Sequence, residues 1–383
     1  MAGRKGAIAF ETTRSAAGTF SILASDPDLI LSGTQEDWPI LEAELQRRQS
    51  FTPDTGFPQG IAAGWVAFDG SFRFGFYNTP SIYCHNNESW ISPPPIHPPL
   101  SWTTPLPSID FQPEISRETY IGMVNRAKEY IAAGDIYQVC LAHRFSAATD
   151  CPPFAFYEAL KTLSPSPYAA YLDLEDTQLV SASPECFLRM SGSRIITRPI
   201  KGTRPRHRDP QLDEKSAYDL ITSPKEIAEL VMITDLERND LGSVCEYGSV
   251  VVPQLLAHER YEQVHHLVST VEGTLRQDIS HPAALQACFP GGSISGAPKK
   301  RALEIIQELE KSPRGPYTGA IGYFGYNGES QFSMAIRTAV FTPGACSFHV
   351  GAGIVADSVA EKEWQETWDK AAGLLQAAQL SQK

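Results

Sequence analysis

Hydrophobic and polar positions change rhythm several times along the chain. Over residues 60–78, GIAAGWVAFDGSFRFGFYN alternates on either side of Asp69-Gly70, as two antiparallel strands joined by a tight turn would. From Ser116 the rhythm becomes helical. Tyr120, Ile121, Val124, Ala127 and Ile131 fall on one face, Ser116 is placed to cap the start, and Gly134 to end it. Strand rhythm returns in AAYLDL, QLVSA, CFLRM and RIITR, with turn chemistry at Ser191-Gly192-Ser193, and predicts an antiparallel meander. A second meander is predicted from AIGYFGY, SQFSMAIRTAVF and CSFHVGAGIV, joined at Asn327-Gly328 and Pro343-Gly344. Helices are expected between and after them. Ser223-Pro224-Lys225-Glu226 is a capping box with proline at the first helical position. Near the C-terminus Trp364, Trp368, Ala371 and Leu375 form an apolar helix face.

Strand groups without regular βαβ alternation point to an α+β fold with largely antiparallel sheets, and no internal repeat is visible. Eight prolines stand between Ser92 and Glu114. Neither a helix nor a central strand accommodates such a run, so an extended crossing is expected at 93–114. It would separate an N-terminal β-rich lobe, 1–92, from a main domain, 115–383.

Composition narrows the function. The 383 residues are 42% apolar and 20% charged, as in ordinary globular proteins, and the net charge of −12 leaves no basic surface for nucleic acid. No long apolar run or leader pattern suggests a membrane, so a cytoplasmic protein is expected. Seven cysteines lie scattered without CxxC or Cys/His ligand spacing, which argues for reduced, buried thiols rather than disulfides or zinc.

Candidate chemistry is gathered in a few places. Glu226 and Glu229 share one face of the helix that Ser223 caps, and Glu363, Glu366 and Lys370 share one face of the C-terminal helix. Two acidic faces can hold one hard cation such as Mg²⁺; a capping residue with a solvated glutamate is the plainer alternative. The Gly-rich run FPGGSISGAPK (289–299), which includes Ser295, leads into a helix through ALEIIQELE. Its free N–H groups would suit a carboxylate, although a tight turn explains the glycines equally well and the GxxxxGK[ST] spacing is absent. Arg198, Lys201, Arg204, Arg206, His207 and Arg208 concentrate positive charge around a Pro-Ile-x-Gly turn. A lysine desolvated among cations has its pKa pushed down and becomes an amine nucleophile; a solvated basic loop is the alternative. His265 and His266 precede an apparent strand, where a core hydrogen bond is as natural as a site role. Gly351-Ala352-Gly353 lacks the rest of a dinucleotide loop.

Taken in order, GDIYQV (134–139), SASPECF (181–187), RPIKGTR (198–204), SPKEIAELVMITDLERNDLG (223–242), VHHLVSTVEGTL (264–275), FPGGSISGAPK (289–299), GPYTGAIGY (315–323), MAIRTAV (334–340) and GAGIVADSVAEKEWQETWDKA (351–371) resemble the chorismate-binding enzymes. That family includes anthranilate, aminodeoxychorismate, isochorismate and salicylate synthases. The resemblance spans about residues 115–380 and is loose over 1–90. It implies an antiparallel β-sandwich with surrounding helices and the site between the layers. It further implies that Glu229 and Glu366 bind Mg²⁺, with Glu226 and Glu363 nearby. Tyr317, Arg337, Gly202, Thr203 and Gly351 to Gly353 would hold chorismate, with Gln138, His266, Ser295 and Lys370 also on the substrate side. Glu185 would be the general acid for the departing C4 hydroxyl.

Two positions separate the family's reactions. Gln138 stands where water-using members carry a lysine base, and an amide cannot be that base. Lys201 stands where anthranilate synthases carry a small residue, and PIKGT is similar to the aminodeoxychorismate synthases. There a lysine would attack C2 and ammonia would then enter at C4, giving aminodeoxychorismate for p-aminobenzoate and folate. No GxCxGxQ setting is present, so a separate glutamine amidotransferase (glutaminase) subunit would supply the ammonia. The alternatives are anthranilate synthase component I and, from another class, an inactive chorismate-binding regulatory subunit. Intact Glu185, Glu229, Glu366 and Lys201 speak against the latter.

Overall fold

A computed structural model describes residues 4–12, 20–50, 55–94, 107–261 and 263–380. The chain forms two large sheets, of 11 and 10 strands, in which every named strand pair is antiparallel. Their sequence logic is clearest in Ile61–Val66. Ile61, Ala63 and Trp65 share an apolar cluster with Ile8, Leu172 and Leu179 of the other sheet, while Ala62 and Val66 face Trp38 and Leu41 of the helix Trp38–Arg48. Both faces of the strand are buried, so the run is apolar throughout. The helices Pro153–Leu163 and Ala360–Leu380 cover the outer face of the first sheet through Phe156, Leu160, Ala371 and Leu374. The expected sandwich with surrounding helices is what forms. Among the described residues no helix is long and apolar enough to cross a membrane.

Among the described residues, the stretch expected to be an N-terminal lobe shares its apolar clusters with the rest of the chain. Ile8–Glu11 pairs with Tyr168–Leu174, and Ile61–Val66 pairs with Ala320–Gly325, so these residues complete both sheets. Open strand edges at Tyr168–Leu174 and Ala320–Gly325 demand partners, and the N-terminal strands supply them. The centre of the Pro-rich crossing lies outside the described residues.

Neither meander is continuous as expected. Thr177–Ser183 lies in the first sheet and Cys186–Ser191 in the second, so the chain changes layer at Pro184-Glu185. Proline has no N–H for the ladder, and a strand ends there. Likewise Glu329–Met334 belongs to the second sheet and Thr338–Thr342 to the first. Between them Arg337 takes φ 50°, a left-handed conformation uncommon outside glycine. The two crossings hold one another: Met334 N–H donates to Glu185 O at 3.1 Å, and Ala182 N–H to Arg337 O at 3.1 Å.

The helix starts came out as read. Ser116 Oγ accepts from Thr119 N–H at 3.2 Å at the head of Arg117–Ala132, and Ser223 Oγ accepts from Glu226 N–H to open Pro224–Gly242. The Gly-rich run departs from a simple turn into one helix. Gly292–Ser295 makes a single turn, Gly296–Ala297 pairs with Val139 and Gln138, and the helix Lys299–Leu309 follows. Gly296 sits at φ 142°, and a side chain there would collide with the Gln138 carbonyl, so only glycine fits. All seven cysteines are free, and all but Cys140 are buried.

Candidate active site

The two layer crossings carry Glu185 and Arg337, and the strand Ile200–Pro205 brings Lys201, Gly202 and Thr203 alongside. Among the described residues Arg337 has no acidic partner and its guanidinium makes no hydrogen bond. Burial alone pulls its pKa below the usual arginine value. In a protein with 44 acidic residues, a mostly buried, unpaired arginine on a strained backbone is poised for an anion from outside the chain. Its charge reaches His266, whose pKa is lowered to about 4 chiefly by burial and next by Arg337. His266 Nδ1 lies 3.0 Å from Thr203 Oγ1 and 3.3 Å from Gly202 O, which joins those residues to the same enclosure. His265 points the other way, to His258 at 3.0 Å and Asp213 at 3.0 Å, and is the structural member of the pair.

The expected charge environment of Lys201 is reversed. The neighbouring cations are engaged elsewhere: Arg198 with Glu259, Arg204 with Glu226 at 3.3 Å, and Arg206 with Asp213 at 2.8 Å. Burial pulls the Lys201 pKa down, but Cys140, Glu229, Glu185 and Glu366 around it outweigh burial, and the net direction is up. Lys201 Nζ donates to Ser293 O at 3.2 Å, a carbonyl that Cys140 Sγ also reaches at 3.5 Å. Glu185, 6% exposed, has its pKa raised by burial against the opposing pull of Ser293 and Lys201. A buried carboxyl of raised proton affinity beside an ammonium can take up that amine's proton and then deliver it to a leaving group, the setting of a general acid next to an amine.

Gln138 is fully buried, and among the described residues neither of its side-chain polar atoms has a partner. Gly353 is what makes room for it, since a side chain at 353 would run into Gln138 Nε2. Gly351 likewise lies tight against the Leu141 carbonyl, and its own carbonyl accepts from Lys370 Nζ at 2.8 Å. Ala352 is buried between these glycines. Tyr317 stacks on His349 with ring centroids 5.2 Å apart and an interplanar angle of 15°.

Two expected roles are taken up within the chain. Ser295 Oγ donates to Gly291 O at 2.9 Å, so this hydroxyl serves its own loop. The first N–H of the short helix, on Gly292, donates to Glu237 Oε1 at 2.8 Å, and Lys299 pairs with Asp240 at 2.6 Å. The carboxyl held at this loop is the chain's own Glu237.

The two acidic helix faces do meet. Lys225 Nζ lies 3.9 Å from Glu229 and 4.0 Å from Glu363, bridging the helices Pro224–Gly242 and Ala360–Leu380. Burial raises the pKa of Glu229 and Glu363, and the charge of Glu366 pushes both further up. Burial also pushes Glu366 up, but Lys370 at 2.8 Å, Lys225 and Lys201 outweigh it, and its pKa falls. Glu363 Oε2 is buried without a partner among the described residues. Glu226 turns aside, over Gly202 and toward Arg204. Among the described residues no three acidic or imidazole groups close on one point as a ready-made metal cluster. Mg²⁺ does not require one, because it is usually held by one or two carboxylates with substrate and several waters. Oxygen donors that repel one another, with an orphaned oxygen among them, fit such a cation.

Sequence reasoning missed Arg314 and Glu310, a buried pair at 2.6 Å beside Tyr317, and the Ser293 carbonyl. The sequence signal for Arg314 was its place immediately before Gly315-Pro316-Tyr317.

Comparison with known proteins agrees with this geometry. The family model for chorismate binding enzymes matches residues 13–376, and so includes most of the N-terminal strands. The chain is 50% identical over 272 residues to anthranilate synthase component 1 of Thermus thermophilus, covering 71% of this chain and 59% of that protein. It is 43% identical over 293 residues to aminodeoxychorismate synthase component 1 of Bacillus subtilis, covering 74% and 62%. The chain thus spans about three fifths of the length of these relatives. Among solved structures, anthranilate synthase component I from Streptococcus pneumoniae TIGR4 superposes with a TM-score of 0.84 at 30% identity, over 95% of this chain and 94% of that one. With its crossings, its unpaired arginine and its lysine beside a buried carboxyl, this chain belongs to the chorismate binding enzyme family.

Proposed function

We propose that the chain is the chorismate-consuming component of an aminodeoxychorismate synthase, which replaces the C4 hydroxyl of chorismate with an amine for p-aminobenzoate and folate formation. The observation that carries this reading is Lys201, whose charge acts on the buried Glu185 and which is anchored 3.2 Å from Ser293 O. A lysine there is what separates aminodeoxychorismate synthases from anthranilate synthases in the resemblance above. Arg337 and Tyr317 bind the substrate's carboxylate end, with the Gly202-Thr203 and Gly351–Gly353 backbone along the ring. Glu229 and Glu366, with Glu363 behind them, would hold Mg²⁺, which supplies positive charge for a substrate carboxylate.

Lys201 holds its proton tightly, so the first event is transfer of that proton to the Glu185 carboxylate. The free amine then forms a bond to C2 of chorismate, the diene electrons shift across the ring, and the C4 hydroxyl leaves as water with the Glu185 proton. Ammonia adds at C4, the electrons shift back, the C2–N bond breaks, and the new ammonium returns a proton to Glu185. Covalent capture divides one hard substitution into two easier ones. In this reading the ammonia comes from a glutamine amidotransferase subunit, a partner that the relatives' name, component 1, supports. The chain alone is expected to use ammonium but not glutamine, and glutamine-dependent turnover by the single purified protein would refute this.

Identity of 50% to an anthranilate synthase component 1 favours a second reading, anthranilate formation with loss of pyruvate. Product analysis with chorismate, Mg²⁺ and ammonium separates the two, because aminodeoxychorismate keeps the enolpyruvyl group. Mass spectrometry without ammonium should trap an adduct on Lys201 that Lys201→Ala lacks. Full activity of Lys201→Ala with an unchanged product would rule out the covalent role.

A further inference from the structure

We infer that Arg314, paired with Glu310, is a positioning residue of the chorismate site, holding the Lys201 anchor and the Tyr317 ring in place through three backbone segments. This rests on the chorismate-site reading but not on which amine product forms. The strand Gln138–Ala148 is paired along one edge by Gly296–Ala297 at Gln138 and Val139 and by Gln112–Pro113 at Phe145 and Ser146. Between these two pairings, among the described residues, the Cys140 carbonyl and the Ala142 N–H have no strand opposite them on that side. Arg314 Nη2 donates to Cys140 O at 2.8 Å, and Glu310 Oε1 accepts from Ala142 N–H at 2.8 Å. The ion pair supplies the donor and acceptor that a missing strand would have offered.

The rest of the guanidinium is equally committed. Nε and Nη2 donate to the Glu310 carboxylate at 2.9 and 2.6 Å, while Nη1 donates to Ile294 O at 3.2 Å and Thr318 Oγ1 at 3.0 Å. All five N–H donors are therefore satisfied, with side chains only 2% and 6% exposed. A buried ion pair is weak evidence for stability, since apolar residues of similar volume often serve as well. What hydrocarbon could not do is fix three segments at named atoms.

Each segment carries part of the site. Cys140 lies two residues after Gln138, and Ile294 follows Ser293, whose carbonyl receives Lys201 at 3.2 Å. Thr318 follows Tyr317, whose ring lies 5.8 Å from the guanidinium and is stacked by His349. Displacing the guanidinium therefore shifts the amine's anchor and the substrate-facing ring together. Lysine at 314 keeps the charge but has three donors on one nitrogen and cannot reproduce the fork.

The test measures chorismate consumption with ammonium and Mg²⁺ by wild type, Arg314→Lys, Arg314→Ala and the Glu310→Gln/Arg314→Met double variant, with melting curves for each. A misplacement on the order of 1 Å can cost about 100-fold, so kcat is expected to fall at least tenfold in the folded variants, by more than KM for chorismate rises. Millimolar guanidinium should restore part of the Arg314→Ala rate, whereas methylammonium, lacking the fork, should not. If Arg314→Ala does not fold, Arg314→Lys and the neutral double variant decide the matter. A folded Arg314→Lys or double variant with kcat within twofold of wild type overturns the inference, as does a loss that follows the melting curve and vanishes on cooling. Wild-type protein that leaves chorismate untouched overturns the underlying site reading, and this inference with it.

Discussion

Replacing Glu237 by Gln should make the protein markedly more stable in mild alkali while leaving its acid-side stability nearly unchanged. The Glu237 side chain is buried beneath the Gly-rich loop, accepts Gly292 N–H at 2.8 Å through one oxygen, and among the described residues has no partner for the other. Burial, reinforced by Asp240 and opposed by Lys299, lifts its pKa from 4.5 to about 8. Below 4.5 the group is protonated whether the chain is folded or not, and it costs nothing. Between 4.5 and 8 the unfolded chain releases this proton and the folded chain retains it, so stability declines as pH rises. At about 1.4 kcal/mol per pH unit, the full window amounts to roughly 4 to 5 kcal/mol, a large part of the 5–15 kcal/mol that holds an ordinary domain together. Glutamine keeps the acceptor for Gly292 and carries no charge at any pH. Urea unfolding of both proteins at pH 5, 7 and 9 should show their stability difference widening steadily in the variant's favour. Parallel pH profiles would mean that Glu237 is ionised in the folded protein and that the burial argument is wrong.

Arg337→Met should raise KM for chorismate by about two orders of magnitude or more, because a charge-assisted carboxylate contact is lost. The same change should leave the melting temperature equal or higher, since it removes a buried charge with no partner among the described residues. A drop of several degrees would show that Arg337 has a structural partner. Gly353→Ala should cost about 1–3 kcal/mol and most activity, because the added methyl runs into Gln138 Nε2. A further Gln138→Ser change should recover much of the stability, and additive losses in the double variant would refute the clash.

How much of this was legible in the sequence depended on how local the cause was. The caps at Ser116 and Ser223 are set by neighbouring residues and were read correctly. So was the antiparallel character of the strands, which follows from tight turns such as Asp69-Gly70. The layer changes at Glu185 and Arg337 were not visible, because alternation identifies a strand without saying which sheet receives it. The N-terminal strands were misjudged as a separate lobe for the same reason: their partners lie far along the chain. Charge was the least readable property. Arg198, Arg204 and Arg206 look like company for Lys201 in sequence, yet each turns to an acid on another element, and Lys201 is left facing carboxylates.

Placing Glu185 and Arg337 at the two points where the chain passes between layers has a mechanical consequence. Each sheet is stiff along its ladders, whereas the layers touch through side chains, so the softest relative motion is one sheet sliding over the other. A molecule gripped at once by groups on both crossings acts as a stitch against that sliding. Its binding energy then adds to the resistance of the whole sandwich by mass action. The Met334 and Ala182 amides, bonded across the crossings to Glu185 and Arg337, are the natural strain gauges for it. Their hydrogen exchange reports the state of the seam directly, where amides deep within either sheet register only global unfolding.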